Sequence, residues 1–461
     1  MSHRSTTAWR SAKRPAVRLR TLLILGLLTL LVSSAPAGAQ ETPQRTLFTN
    51  VNVFDGVNEA LITNANVLVE GNLIQTVSTS PIQAAGATVI DGEGRTLMPG
   101  LIDAHFHIAY SQLSVPELYA GDIAHYTIKA VLGAERALMR GFTTIRDMGG
   151  GPFSVKKAID EGLIPGPRLY LSGAPISQTS GHFDARDVNA VPANSGAELD
   201  YWNRNAVFRV ADGPSEVLRA VRENLRMGAV QLKLATGGGV SSFYDPLDVT
   251  EYTTEEIEAA VAAASDFNTY VAVHVMTDSA TRRSLEAGVM SIEHGFLMSD
   301  ETMALLKEKG AWLSIQPLLN DEDAFDFPDP DRHAKWIETT DGTAHAYETA
   351  KRLGVNIAFG TDIVWSPGLD VKQGKFLTKL ENWFTPYEAL KMATYDNAQL
   401  LQMSGPRNPY TEGALGVVQE GAYADLILVD GNPLEDLDLV ADPENNFVVI
   451  MKDGVIYKDA R

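Results

Sequence analysis

The sequence contains no cysteine. Disulfides and thiolate metal sites are thereby excluded, so any metal must use His, carboxylate or a less usual ligand. Acylation of a cysteine, the lipoprotein route to a membrane, is excluded as well. Positive charge is scarce: 38 Lys and Arg stand against 58 Asp and Glu, a formal net charge of −20. That balance argues against a nucleic-acid partner. After residue 39 no stretch is long and apolar enough to span a bilayer. What remains, 45% hydrophobic and 21% charged over 461 residues, is the composition of a globular protein with a large core.

Residues 1–39 read as a secretory signal peptide rather than part of the fold. Arg4, Arg10, Lys13, Arg14, Arg18 and Arg20 form a basic start without an acid. TLLILGLLTLLV (21–32) is a short apolar core, and Ala37-Gly38-Ala39 is an A-x-A cleavage site before Gln40. The mature chain is expected in the periplasm or secreted, with no membrane contact after cleavage.

Both ends of the mature chain read as short strands and turns. TLFTNVNVFDG, ANVLVEGNLIQTVS and ATVIDGEGRTLM lie near the start, and ADLILVDGNP and NFVVIMKDGVIYK at the end. Segments at opposite ends of a chain can pair. A small β-sandwich is expected from residues 40–97 and 406–461. Between them, over 98–405, strands and helices alternate. The expected strands are GLIDAHFH, FTTIRDM, RLYLSG, VQLKLAT, TYVAVHV, MSIEHG, AWLSIQP and NIAFGTD. One intervening helix opens at Thr253 with Glu256 three residues on, a capping-box pattern. Eight β/α units predict an α/β (β/α)8 TIM barrel, whose active site forms at the C-terminal strand ends. The acidic stretch Asp321 to Arg332, DEDAFDFPDPDR, reads as an exposed, solvated loop after strand seven.

The stretch TLMPGLIDAHFHIAY carries the first chemistry. Side chains at i and i+2 on a strand share a face, so His105 and His107 point the same way, about 6–7 Å apart. Two neutral imidazoles so placed can converge on a metal ion. Alone, the pair is unspecific. However, His274 and His294 also sit at or near strand ends, Lys233 lies mid-strand in VQLKLAT, and Asp362 closes FGTD. Each has an ordinary structural explanation. Six polar, ligand-capable residues on five strands of one barrel are hard to explain as packing.

PGLIDAHFH, LKLATGGGVSS, VAVHVMT, SIEHG and FGTD resemble the signature segments of the amidohydrolase superfamily. The likeness runs from about Asn50 to the end and includes GFTTIRDMGG and ADLILVDGNPL. Within the superfamily the chain is most similar to the Xaa-Pro and Xaa-Arg/Lys dipeptidases, imidazolonepropionases and ochratoxin-hydrolysing amidases. The resemblance implies two divalent ions, most often zinc, held by His105, His107, Lys233, His274, His294 and Asp362. An ammonium cannot ligate a cation, so Lys233 would be N6-carboxylated, a carbamate able to bridge two metals. Asp362 would take the proton of the attacking water. In the family a similar Gly-Gly-His segment places a His near the substrate carbonyl; here Ser180-Gly181-His182 matches in part. Tyr244, in the loop after Lys233, could reach substrate or simply pack. Met276 and Gln316-Pro317 depart from the family pattern near the expected pocket, which bears on specificity. The implied activity is hydrolysis of an amide in dipeptides or N-acyl amino acids by metal-activated hydroxide, by a homo-oligomer. A cyclic-amide, lactone or organophosphate hydrolase and a non-enzymatic metal-binding barrel are the alternatives.

Overall fold

A computed structural model describes residues 44–190, 198–242, 244–325 and 327–461. The expected leader lies outside the described residues. Eight parallel strands form the barrel: Leu101–Phe106, Phe142–Asp147, Arg168–Leu171, Leu232–Ala235, Val271–Thr277, Ser291–Leu297, Trp312–Ile315 and Asn356–Phe359. They are called strands one to eight below. Each coincides with a segment expected from the sequence. They are almost wholly buried because helices cover the outer face of a parallel barrel, and the polar groups among them lie in the interior.

Regular hydrogen bonding lapses at two seams, where single groups close the ring. Between strands three and four, the Val230 N–H donates to the Leu171 carbonyl at 3.0 Å and Gln231 Nε2 to the Tyr170 carbonyl at 2.9 Å. Between strands eight and one, Asn397 Nδ2 donates to the carbonyls of Ile102 and Phe359 at 2.7 and 2.8 Å. The helix Thr254–Asp266 opens as expected, with Glu256 accepting the Thr253 N–H at 2.8 Å.

The two ends of the described chain join in one sheet. Its strand order is Val455–Asp459, Phe447–Lys452, Leu426–Val429, Thr96–Pro99, Arg45–Val53, Ile62–Glu70 and Leu73–Ser78, with Thr88–Asp91 also paired to Arg45–Val53. The two halves are continuous in hydrogen bonding, because Leu426–Val429 pairs antiparallel with Thr96–Pro99, and together they enclose one apolar core that includes Phe48, Val67, Leu428 and Val449. Only Gly100 separates Thr96–Pro99 from barrel strand one. A Cβ there would lie 2.1 Å from Thr143 Oγ1, so glycine lets the chain cross directly from sheet to barrel.

The loop from Asp321 to Arg332 is solvated only in part: Glu322 and residues 328–331 are exposed, while its first half is anchored. Phe325 is buried against Trp336 and Phe376. Asp321 pairs with Lys379 at 2.8 Å and Asp323 with Lys372 at 2.6 Å. Asp321 and Asp323 are clamps, while Glu322, Asp329 and Asp331 are exposed, and the loop's last residues already belong to the helix Pro330–Asp341.

Candidate metal centre

Strands one, four, five, six and eight deliver His105, His107, Lys233, His274, His294 and Asp362 to one cavity at the C-terminal mouth of the barrel. His105 Nε2 lies 3.3 Å from Lys233 Nζ and 3.4 Å from Asp362 Oδ1. His107 Nε2 lies 3.2 Å from the same Asp362 oxygen, and His294 Nδ1 3.9 Å from Asp362 Oδ2. Donor atoms of His105, His294 and Asp362 all fall within 4.8 Å of one another. His274 closes the group, its ring 4.4 Å from that of His294, and its Nε2 is buried with no hydrogen-bond partner.

Two of these residues adopt left-handed backbone, His294 at φ 76° and Asp362 at φ 51°. Strand alternation sends Ser291 and Glu293 inward together, with Ser291 Oγ 2.6 Å from Glu293. The left-handed turn at His294 breaks that alternation and brings its imidazole into the same space. Such backbone costs about 1–3 kcal/mol and persists where the surroundings impose it, typically at functional sites. Glycines clear the room. A Cβ on Gly360 would sit 2.5 Å from His105 Cβ, and one on Gly239 would strike the rings of His182 and His274.

The electrostatics suit metal ligation. Burial, then the neighbouring Lys233, lowers the His105 imidazole to about 4. Burial also pushes His274 and His294 well below the usual range, with other imidazoles adding to the effect. All three are therefore neutral at pH 7, with lone pairs to offer. Burial alone would raise the Asp362 carboxyl, but His105, His107 and His294 outweigh it and hold it ionised. Burial lowers the Lys233 ammonium to about 8, opposed by Glu293 and Asp362. Neutral imidazole nitrogens with carboxylate oxygen form a donor set that a divalent cation accepts.

Supporting groups fix the candidate ligands. His105 Nδ1 lies 2.8 Å from Glu293 Oε2, and Glu293 in turn accepts from the fully buried Arg146 Nη2 at 2.8 and 2.9 Å. His107 Nδ1 lies 3.0 Å from the Gly149 carbonyl. His294 Nδ1 lies 2.7 Å from Gln316 Oε1. Such partners set the tautomer and aim of metal-binding histidines. The sequence reading did not single out Glu293 or Arg146. A charge buried mid-strand was the available signal, but their pairing spans strands two and six.

His182 is in the cavity. Its ring stacks on His274 at 3.6 Å, and its Nδ1 lies 3.2 Å from Asp245 Oδ2 and 3.0 Å from Ser242 Oγ. Asp245, also unanticipated, is anchored by the Gly239 N–H at 2.7 Å. Glu251 accepts the His182 N–H at 2.9 Å; burial, then Asp245, raises its carboxyl to about 9. Tyr244 does not line this cavity. Its hydroxyl donates to the Arg186 carbonyl at 2.6 Å and its side chain borders a neighbouring cleft. The loop after Lys233 carries Tyr244 away while leaving Ser241 and Ser242 at the cavity wall.

Comparison with known proteins agrees with this geometry. Residues 96–458 match the model of the amidohydrolase family. The ochratoxinase of Aspergillus niger is 33% identical over 380 residues, covering 78% of this chain and 75% of that protein. A crystal structure of a prolidase complexed with N-methylphosphonate-L-proline superposes with a TM-score of 0.82 at 32% identity, covering 90% of this chain and 100% of the other. A Xaa-Pro dipeptidase with methionine bound in its active site superposes at 0.77 and 29% identity, covering 90% and 100%. By its matched length, its barrel and the histidines gathered at the barrel mouth, the chain belongs to the amidohydrolase family and is a hydrolase of amide bonds.

Proposed function

We propose that this chain is a binuclear-metal amidohydrolase that cleaves dipeptides or N-acyl amino acids. The observation that carries the reading is the convergence of neutral imidazoles, an ionised Asp362 and a lysine lowered to about 8 on one cavity. His105, His107 and Asp362 would hold one divalent ion, and His274 and His294 the other; zinc suits these donors. Lys233, N6-carboxylated, would bridge them. The reaction is addition of carbon dioxide to the neutral amine with release of one proton, and burial favours the neutral amine. The ions, when bound, supply Lewis acidity and lower the pKa of water.

The chain's own residues do the rest. Asp362, 22% exposed toward the cavity, accepts the proton of the attacking water and returns it to the departing amine. His182, its Nδ1 held by Asp245 and Ser242, offers its other nitrogen toward the carbonyl oxygen. The substrate class is supported by the names of the relatives, a prolidase, a Xaa-Pro dipeptidase and an ochratoxinase.

The test has two arms. Elemental analysis of the purified protein should find close to two divalent ions per chain. A library of dipeptides and N-acyl amino acids should contain substrates, with turnover abolished by chelation. Full activity after chelation, or turnover of lactones and not of amides, would refute the reading. We also propose export through the leader at 1–39. N-terminal sequencing of exported protein should begin at Gln40, and a start at Met1 would refute cleavage there.

A further inference from the structure

The histidine cluster lies at the junction of two lobes. His182, His274, His294 and Asp362 line both. The outer lobe is walled by Tyr110, Leu118, Phe183, Phe208, Val364 and Trp365. Its aromatics are stacked in series, Tyr110 lying 4.5 Å from Trp365 and 5.6 Å from Phe208 between ring centres. The inner lobe is walled by Met276, Phe296, Leu318, Phe325, Phe327 and Trp336. Phe325 and Phe327 belong to the loop that Lys372 and Lys379 clamp, and their rings lie 5.5 and 5.7 Å from that of Trp336.

Among the described residues, charge is what the lobes lack. Among the described residues, the inner lobe holds no ionisable side chain beyond the four it shares with the cluster. The outer lobe adds His105, His107 and Lys233 of the same cluster, and Asp184, which is paired with Arg186 at 2.6 Å. An amide held at the junction places one substituent in each direction. A charged side chain in either lobe would leave water without a counter-ion among the described residues, which is strongly unfavourable. An α-carboxylate differs, because it sits beside the scissile bond, where Ser241 borders both lobes and Ser242 the outer one.

We propose that the substrates of this enzyme carry uncharged, apolar or aromatic groups on both sides of the scissile amide, and that Phe325, Phe327 and Trp336 select the group on one side. This rests on the amide-cleaving reading above and deepens it. It excludes amides of lysine, arginine, aspartate and glutamate as preferred substrates. It also gives the clamped acidic loop a role: Asp321 and Asp323 hold the aromatic wall of a side-chain pocket in place.

The experiment is a comparison of kcat/KM on metal-loaded protein. One series is N-benzoyl-Phe, -Leu, -Lys and -Glu; the other is Phe acylated with benzoyl or with succinyl. Phe and Leu should exceed Lys and Glu, and benzoyl should exceed succinyl, each by about a hundredfold. Phe325→Leu and Phe208→Leu, which keep apolar bulk, should each change preference on one side of the amide, and on opposite sides. A preferred charged substrate, or both variants acting on the same side, would overturn the assignment. If neither dipeptides nor N-acyl amino acids are cleaved, the function reading fails, and the lobes are tested by binding alone. Phenylacetamide should then quench protein fluorescence saturably, less so in Trp336→Phe, while benzylamine should bind at least about tenfold more weakly. Equal binding of the two probes would overturn the proposal independently of turnover.

Discussion

Asp362→Asn separates the chemical role of this carboxylate from its structural one. Asp362 sits at φ 51°, a left-handed conformation that Asn tolerates as readily as Asp. Its backbone N–H donates to the His105 carbonyl at 2.8 Å, and that bond survives the substitution. The fold should therefore hold. What would be lost is the proposed base. In the wild type, Oδ1 lies 3.4 and 3.2 Å from the Nε2 atoms of His105 and His107, which help keep the carboxyl ionised at neutral pH. An amide has the same outline but accepts no proton. General acid–base catalysis contributes about 10²–10⁴-fold, and weaker metal binding would add to the loss. His182→Asn is the control. A hydrogen bond to a developing oxyanion is worth about 2.7–4 kcal/mol, and Asn can still donate one, so its loss should be smaller. The assay is kcat for both variants at matched metal content, with thermal unfolding to confirm folding. Greater residual activity in Asp362→Asn than in His182→Asn would refute the proton-shuttle role.

Lys233→Ala should lose metal and activity, with partial rescue by added short carboxylates; wild-type turnover in the variant would rule out a bridging carbamate. Glu293→Gln leaves the fully buried Arg146 without its counter-charge and should destabilise the protein by roughly 3–5 kcal/mol; unchanged denaturant unfolding would contradict that pairing. Glu251 has a folded value near 9 against an ordinary 4.5, so its stabilisation is complete below 4.5 and is lost as pH rises through 9, by up to about 1.4 kcal/mol per unit. Glu251→Gln should therefore gain stability relative to wild type between pH 5 and 8.5, and an equal difference at both would refute the raised carboxyl.

The barrel was legible because each strand is a short apolar run between helical stretches, and period and length suffice to find such runs. His105, His107, Lys233, His274, His294 and Asp362 were legible because each interrupts or ends such a run with a polar group. Glu293 and Arg146 carry the same signal, but their meaning is a pairing between strands two and six, 147 residues apart, which no local pattern encodes. Tyr244 shows the reverse limit. An aromatic after a glycine-rich loop can swing either way, and the Arg186 carbonyl, supplied by a distant segment, decides it. The acidic loop misled in part, for a similar reason. Asp321 and Asp323 read as solvated until Lys372 and Lys379, remote in sequence, are brought beside them.

The charges around the cluster make one further prediction. At neutral pH the imidazoles of His105, His274 and His294 are neutral, and Lys233 is the cation beside Glu293 and Asp362, with Arg146 paired to Glu293 and Asp103 and Asp147 also buried beside the cluster. Carboxylation of Lys233 replaces a cation with an anion and so makes a buried, already acidic site more negative by two charges. Without cations that state is strongly disfavoured. Conversely, divalent ions entering beside a protonated Lys233 would meet a positive charge at close range. Each change is unfavourable alone and favourable with the other, so the two are coupled and the coupling is reciprocal. Bicarbonate, as a source of carbon dioxide, should therefore increase zinc uptake by the metal-free protein, measured by elemental analysis after desalting. The effect should vanish in Lys233→Ala. Zinc uptake indifferent to bicarbonate in the wild type would mean that Lys233 does not take part as a carbamate, whatever the remaining ligands do.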